Sequence, residues 1–263
     1  YSSPSSFALN PWFLDVNELI EKRFIFISNK EEIGIVNNNN YLDFNSAENL
    51  SHELGKHIFK AWQSQSKERK EDFYKWRQMN SWVDDYALFM VIREEFNMLP
   101  WWQWPLEFKL KNIDFLKHWI KKYDEAVLIK KLIQWHLDRQ WGLIKEYAKS
   151  YGIKLIGDLP FYVSRDSVDV WSNKSLFSIS QNGDLLFQSG VPPDYFSSTG
   201  QLWGTPTYLW AKHERTNFAW WRERFKRQFE LVDILRLDHF RALAVYWRVN
   251  GDEKNAINGK WIN

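Results

Sequence analysis

The chain has 263 residues, 44% of them hydrophobic and 26% charged, with a net charge of +2. That balance fits a globular protein able to bury a sizeable core, and it gives no electrostatic reason to expect nucleic acid or an anionic membrane as the main partner. There is no cysteine, so a disulfide framework and a cysteine-based zinc site are excluded, and no apolar run approaches the ~20 residues of a membrane span.

Taken from the start, residues 1–10 read as a serine-rich loop, and Pro11 to Val16 as a short strand. Asn37 to Asn40 is a polar turn or loop. A helical pattern begins near Ser46, with Leu50, Leu54, Ile58 and Trp62 recurring at i, i+4 spacing. Lys67 to Asp72 reads as the solvated face of a helix. Ser81 with Asp84 resembles a capping box before a helix carrying Tyr86, Phe89, Met90 and Arg93. Pro100 and Pro105 bracket a tryptophan-rich loop, Trp101 to Trp104, whose rings read as core. Helical stretches follow from about Ile113 and from Glu125 to Ser150.

The most informative unit starts there. The long helix ends at Tyr151-Gly152, and Gly is the expected residue just past a helix. A short apolar run, Ile153 to Gly157, leads directly to Asp158-Leu159-Pro160. The pattern recurs: a helical stretch from Phe218 to Glu230 leads into Leu231 to Leu237 and then Asp238. Helix, short strand, then an acid at the strand's C-terminal end is α/β barrel grammar. Sites of such barrels lie on the loops after the strand ends, so Asp158 and Asp238 are expected at the same face of one sheet.

Strand side chains alternate, so Val232, Ile234, Arg236 and Asp238 share one face while Leu235 and Leu237 point the other way. A guanidinium beside Asp238 favours the ionised carboxylate, which is the form a glycosidic nucleophile requires. His239 and Arg241 add hydrogen-bond donors at the strand exit. A structural Arg–Asp pair closing the barrel end is the plainer alternative for Arg236 and Asp238 taken alone. Most of the 17 Trp, 19 Phe and 11 Tyr are expected in the core. Tyr195, Phe196 and Trp203 differ, since they sit on a polar loop stiffened by Pro192-Pro193 and hinged at Gly190, Gly200 and Gly204; there the rings read as sugar-stacking platforms.

Arg236-Leu237-Asp238-His239-Phe240-Arg241 as a whole resembles the nucleophile motif of the amylomaltase and disproportionating-enzyme family, the 4-alpha-glucanotransferases of glycoside hydrolase family seventy-seven. Other segments match in order. Ser5 to Pro11 resembles the family's N-terminal sugar-binding loop, and Gly157 to Pro160 the strand whose Asp contacts the sugar next to the scissile bond. Asp166 to Trp171 matches the segment after it. Gly190 to Ser197 and Gly200 to Gly204 resemble the mobile acceptor-side loop. The resemblance is strongest from Gly152 to Trp261 and weak from Asn17 to about Asp124.

The resemblance implies an α/β fold: an incomplete (β/α)8 barrel spanning 1–263, with a mostly helical inserted subdomain over about 17–124 and the donor and acceptor sites in 152–263. It implies Asp238 as nucleophile, held with the sugar by Arg236 and His239. Asp158 would bind donor hydroxyls and Tyr1 would stack on the donor glucose. Asp194, Tyr195, Phe196, Gln201 and Trp203 would line the acceptor path. The expected partners are alpha-1,4-glucans and maltooligosaccharides, with no nucleic acid, no membrane and no cofactor. No metal is implied either; His52 and His57 are spaced wrongly for a one-face helical pair. The expected compartment is the cytoplasm, with the plastid as alternative.

A retaining mechanism needs two carboxyl groups about 5 Å apart. In the family the acid/base is a Glu downstream of the nucleophile, and a further Asp beside a His supports the transition state. After Asp238 the only Glu is Glu253, which sits in no matching motif. The expectation is therefore a fragment with both ends of its parent missing, inactive alone. An amylase-type retaining hydrolase and a non-catalytic glucan-binding protein remain as alternatives.

Overall fold

A computed structural model describes residues 2–27 and 43–263 of the chain. Tyr1 and the Asn37–Asn40 run lie outside the described residues. In chain order the helices are α1 (Val16–Glu21), α2 (Phe44–Trp62), α3 (Lys67–Met79), α4 (Trp82–Glu95), α5 (Leu106–Lys109), α6 (Ile113–Ile120), α7 (Asp124–Ser150), α8 (Val168–Ser172), α9 (Trp210–Arg215) and α10 (Ala219–Leu231). The strands are β1 (Ile156–Leu159), β2 (Phe187–Val191), β3 (Gln201–Pro206), β4 (Ile234–Leu237), β5 (Tyr246–Asn250) and β6 (Lys260–Ile262). Among the described residues no helix is long and apolar enough to cross a membrane.

The chain divides into two units. One comprises Tyr1–Phe7, Ile92–His118 and Ala148–Asn263; the other comprises Ala8–Val91 and Trp119–Tyr147.

The second unit is helical. Its helices begin at polar caps: Asp15 accepts from the amides of Asn17 and Glu18, Asp43 from Asn45, and Ser66 from Arg69. Such caps satisfy amides that the first helical turn leaves orphaned. The buried faces of α1, α2, α3 and α7 meet in a core that includes Leu19, Leu54, Ile58, Phe73, Leu132 and Trp135. Trp62 and Phe73 pack edge to face at 5.1 Å between ring centroids. Gln134, fully buried, pairs with both backbone groups of Leu9, donating at 2.8 Å and accepting at 2.9 Å. The expected strand at Pro11 to Val16 is instead a 3-10 turn, Pro11–Phe13, followed by α1. Asn10 caps Trp12 and proline occupies the first turn position, a local preference that outweighs the short apolar run. Asp84 does not complete a side-chain capping box; Arg77 at 2.8 Å and Lys131 at 2.7 Å engage its carboxylate.

The first unit is mixed α/β. β1 and β4 pair in parallel with Asp158 opposite Arg236. The other strands form an antiparallel sheet in the order β3-β2-β5-β6. α7 ends where anticipated, with Gly152 at φ +70 and the Ile153 amide bonded back to the Ala148 carbonyl. β1 and β4 are shorter than the apolar runs that announced them. Leu231 completes α10, and Leu155 and Asp233 exchange bonds that start the pairing: the Leu155 amide donates to the Asp233 carboxylate and the Asp233 amide to the Leu155 carbonyl. Trp101 and Trp104 are buried as expected, and Trp104 packs on Trp171 at 5.9 Å.

Two buried arginines of α10 brace the loops of this unit. Arg224 donates to the carbonyls of Phe161 at 3.1 Å and Pro160 at 2.6 Å, immediately after β1. Arg227 donates to the Phe7 carbonyl at 2.9 Å. The Ser5–Phe7 end of the N-terminal segment is also held by buried Asp169, which accepts from the Ser6 amide and hydroxyl.

Candidate active site

Parallel pairing fixes the central arrangement. With β1 and β4 in register, Arg236 reaches across to Asp158 and forms a two-pronged ion pair, its Nε donating to Oδ1 at 3.1 Å and its Nη2 to Oδ2. The same Nη2 lies 3.6 Å from Oδ1 of Asp238. One guanidinium thus stands between two carboxylates at the ends of neighbouring strands. The Asp238 amide donates to the Leu159 carbonyl at 3.0 Å, which continues the ladder one residue past β4 and fixes the nucleophile candidate's backbone.

His239 turns the chain. Its backbone is left-handed, φ 52, and it precedes a 3-10 turn at Phe240–Leu243. Few non-glycine residues adopt this conformation. It sets the imidazole against the Trp203 ring at 4.9 Å and near Tyr162 at 6.2 Å. Burial lowers the imidazole pKa and the Asp238 charge pulls it back up, with Arg241 adding to the lowering. The ring is therefore mostly neutral near pH 7, able both to donate and to accept.

Beside this row opens a cavity of about 540 Å³, a size ordinary for small-molecule sites. Asp238 and His239 form one part of its wall, β3 contributes Gln201, Leu202, Trp203 and Thr205, and the segment after β1 contributes Phe161 and Tyr162. The Trp203 indole donates to Gln201 at 3.1 Å, which orients both side chains. Among the described residues Asp238 is the one acid on this wall.

The structure thus brings together Asp238, His239, Gln201 and Trp203, and joins Asp158 to them through Arg236. Asp194, Tyr195 and Phe196 are elsewhere, at the tip of the β2–β3 hairpin. Asp194 caps that tip, accepting from the amides of Phe196 at 2.9 Å and Ser197 at 2.8 Å. Tyr195 and Phe196 are 96% and 91% exposed, the extreme values among the large hydrophobic side chains of the described residues. Two rings held in water by an ordered turn lack any role in the core.

Phe161, Tyr162 and Thr205 were not anticipated. The signal for the first two was present: they directly follow Asp158-Leu159-Pro160, on the kind of loop that carries sites in this architecture. Thr205 continues the alternation of Gln201 and Trp203 along β3.

Paired strands with acids at their C-terminal ends, beside an aromatic-walled cavity, define an α/β protein with a strand-end cleft of the kind that binds small polar ligands. Comparison with known proteins specifies it further. The family profile described as 4-alpha-glucanotransferase matches residues 1–263, and the chain belongs to that family. It is 40% identical to a 4-alpha-glucanotransferase of Clostridium butyricum and 38% identical to one of Aquifex aeolicus, over 100% of this chain and 54% and 52% of theirs. An amylomaltase from Streptococcus agalactiae, solved in complex with acarbose, superposes with a TM-score of 0.92 at 31% identity, over 100% of this chain and 53% of that one. The chain spans about half the length of the relatives it matches.

Proposed function

We propose that this chain carries the nucleophile half of a 4-alpha-glucanotransferase, which moves alpha-1,4-glucan segments between maltooligosaccharides by a retaining double displacement. The single observation that supports this best is the Asp158–Arg236–Asp238 row next to an aromatic cavity. In the first step an oxygen of Asp238 bonds the anomeric carbon while the glycosidic C–O bond breaks, and the leaving oxygen takes a proton from an acid. In the second, a sugar hydroxyl displaces Asp238 and gives up its proton to the same group. Arg236 holds the charge of Asp238 and, with His239, its position. Asp158 binds donor hydroxyls and Tyr1 stacks on the donor glucose. Gln201 and Trp203 line the acceptor path, and the hairpin of Asp194, Tyr195 and Phe196 closes on it. Water exclusion by that hairpin favours transfer over hydrolysis.

On this reading β1 and β4, with α10 between their loops, are part of a (β/α)8 barrel, and the helical unit is its inserted subdomain. The second carboxyl group comes from outside this chain, which by itself turns over no glucan. The cytoplasm is the expected compartment, or the plastid in a plant.

The test uses the full-length enzyme and its Asp238→Asn variant with maltotriose. A ladder of longer glucans plus glucose, lost in the variant, supports transfer through Asp238. Glucose and maltose alone would make it a hydrolase, and sugar bound without product would make it a glucan-binding protein.

A further inference from the structure

Tyr162 stands out among the cavity residues because its polar atom is unspent. The residue is only 5% exposed and lines the cavity, and its hydroxyl, which bonds none of the described residues, is not one of the fully buried unpaired atoms and so opens to the cavity. A phenol set in an aromatic wall ordinarily bonds a protein group or water, and here only water in the cavity is within its reach. Its neighbour Tyr208 shows the ordinary case, donating to the Phe161 carbonyl at 2.6 Å.

The ring itself is firmly placed. Tyr208 stacks on Tyr162 at 5.7 Å with 11° between planes, and Trp203 and His239 approach it at 6.0 and 6.2 Å. Tyr208 is backed in turn by Trp221 at 5.1 Å. A rigid aromatic wall with an open hydrogen-bonding position suits a sugar, which presents an apolar ring face and a rim of hydroxyls.

We propose that Tyr162 is a substrate-contacting residue that sets specificity: its ring packs against a glucose unit in the cavity and its hydroxyl bonds one hydroxyl of that unit. The proposal rests on the reading of the cavity as a glucan site. A hydroxyl that loses its water to a bound ligand discriminates strongly against ligands that cannot pair it.

The test uses the full-length enzyme and its Tyr162→Phe variant, which removes one oxygen and keeps the stacked ring. Transfer is measured with maltotriose and with a series of monodeoxy acceptors and donors. The expected result is a 3- to 10-fold lower kcat/KM on maltotriose, roughly the worth of one neutral hydrogen bond, at an unchanged melting temperature. One deoxy sugar, which penalises the parent enzyme, loses its penalty in the variant. Equal kcat/KM in parent and variant, or deoxy penalties that are all retained, would overturn the role of Tyr162 while leaving the glucan site intact. A parent enzyme that neither binds nor transfers maltotriose would instead defeat the underlying reading.

Discussion

Arg236 faces Asp158 across the parallel pairing of β1 and β4 and spends both arms of its guanidinium on that carboxylate. Asp238, one residue past the end of β4, receives the edge of the group at 3.6 Å. The arginine therefore ties the two acids into one unit. Lysine carries the charge but lacks the planar fork, so Arg236→Lys cannot serve both. The expected loss of transfer is on the order of 10²-fold in kcat, as for other preorganised electrostatic groups. Stability should barely move: the Arg236 and Asp158 side chains are 65% and 48% exposed, and such pairs contribute little. A melting curve alongside the assay checks both statements.

The hairpin tip separates chemistry from stability in another way. Tyr195 and Phe196 project into water, so replacing both with Ser should change stability by less than about 0.5 kcal/mol. If the rings shield the acceptor path, the ratio of transfer to hydrolysis drops several-fold. Product analysis in the full-length enzyme reads this, and an unchanged ratio would remove the hairpin from the mechanism.

Two glycines flank the cavity side of that hairpin, and they differ informatively. Gly200 and Gly204 both have positive φ, +68 and +67. A Cβ on Gly200 would lie 2.3 Å from the Val191 carbonyl oxygen, whereas one on Gly204 would meet open space. Gly204→Ala should cost about 1 kcal/mol from the backbone alone, and Gly200→Ala about 2 kcal/mol or more. Denaturation midpoints of the two variants give the comparison.

In the helical unit, acid should act through His136. Burial, reinforced by Arg139 and Arg69, holds its pKa well below 6.5. The unfolded chain takes up that proton near pH 6.5 while the folded chain resists it. The contribution is thus fully present above about pH 6.5 and is lost as the pH falls toward the folded value. His213, whose pKa burial also lowers, works in the same direction. Melting temperatures at pH 7 and pH 5 should therefore differ less in His136→Phe than in the parent.

Much of this was legible in residue order. The helix–Gly–strand–acid grammar located β1 and β4 and placed Asp158 and Asp238 at one face, because short parallel strands leave few alternatives. Leu50 to Trp62 and the stretch after Glu125 announced α2 and α7 through their period. What escaped depended on neighbours distant in sequence. No local pattern says that Arg236 commits its fork to Asp158 rather than Asp238, since their approach comes from a pairing 78 residues apart. Pro11 to Val16 was misread because an apolar run of that length carries no period, and the cap at Asn10 decided it. Tyr162 was passed over because an aromatic after a strand reads as core until its place on the cavity wall is seen.

The Arg224 clamp on Pro160 and Phe161 has a further consequence. It fastens the segment after β1 to the helix that delivers β4, so Asp158 and Asp238 share one mount. The β2–β3 hairpin hangs from the antiparallel sheet instead, by strands that contribute neither acid. On the proposed reading, insertions or exchanges at residues 192–199 would alter the acceptor side while leaving the mount of the two acids unchanged.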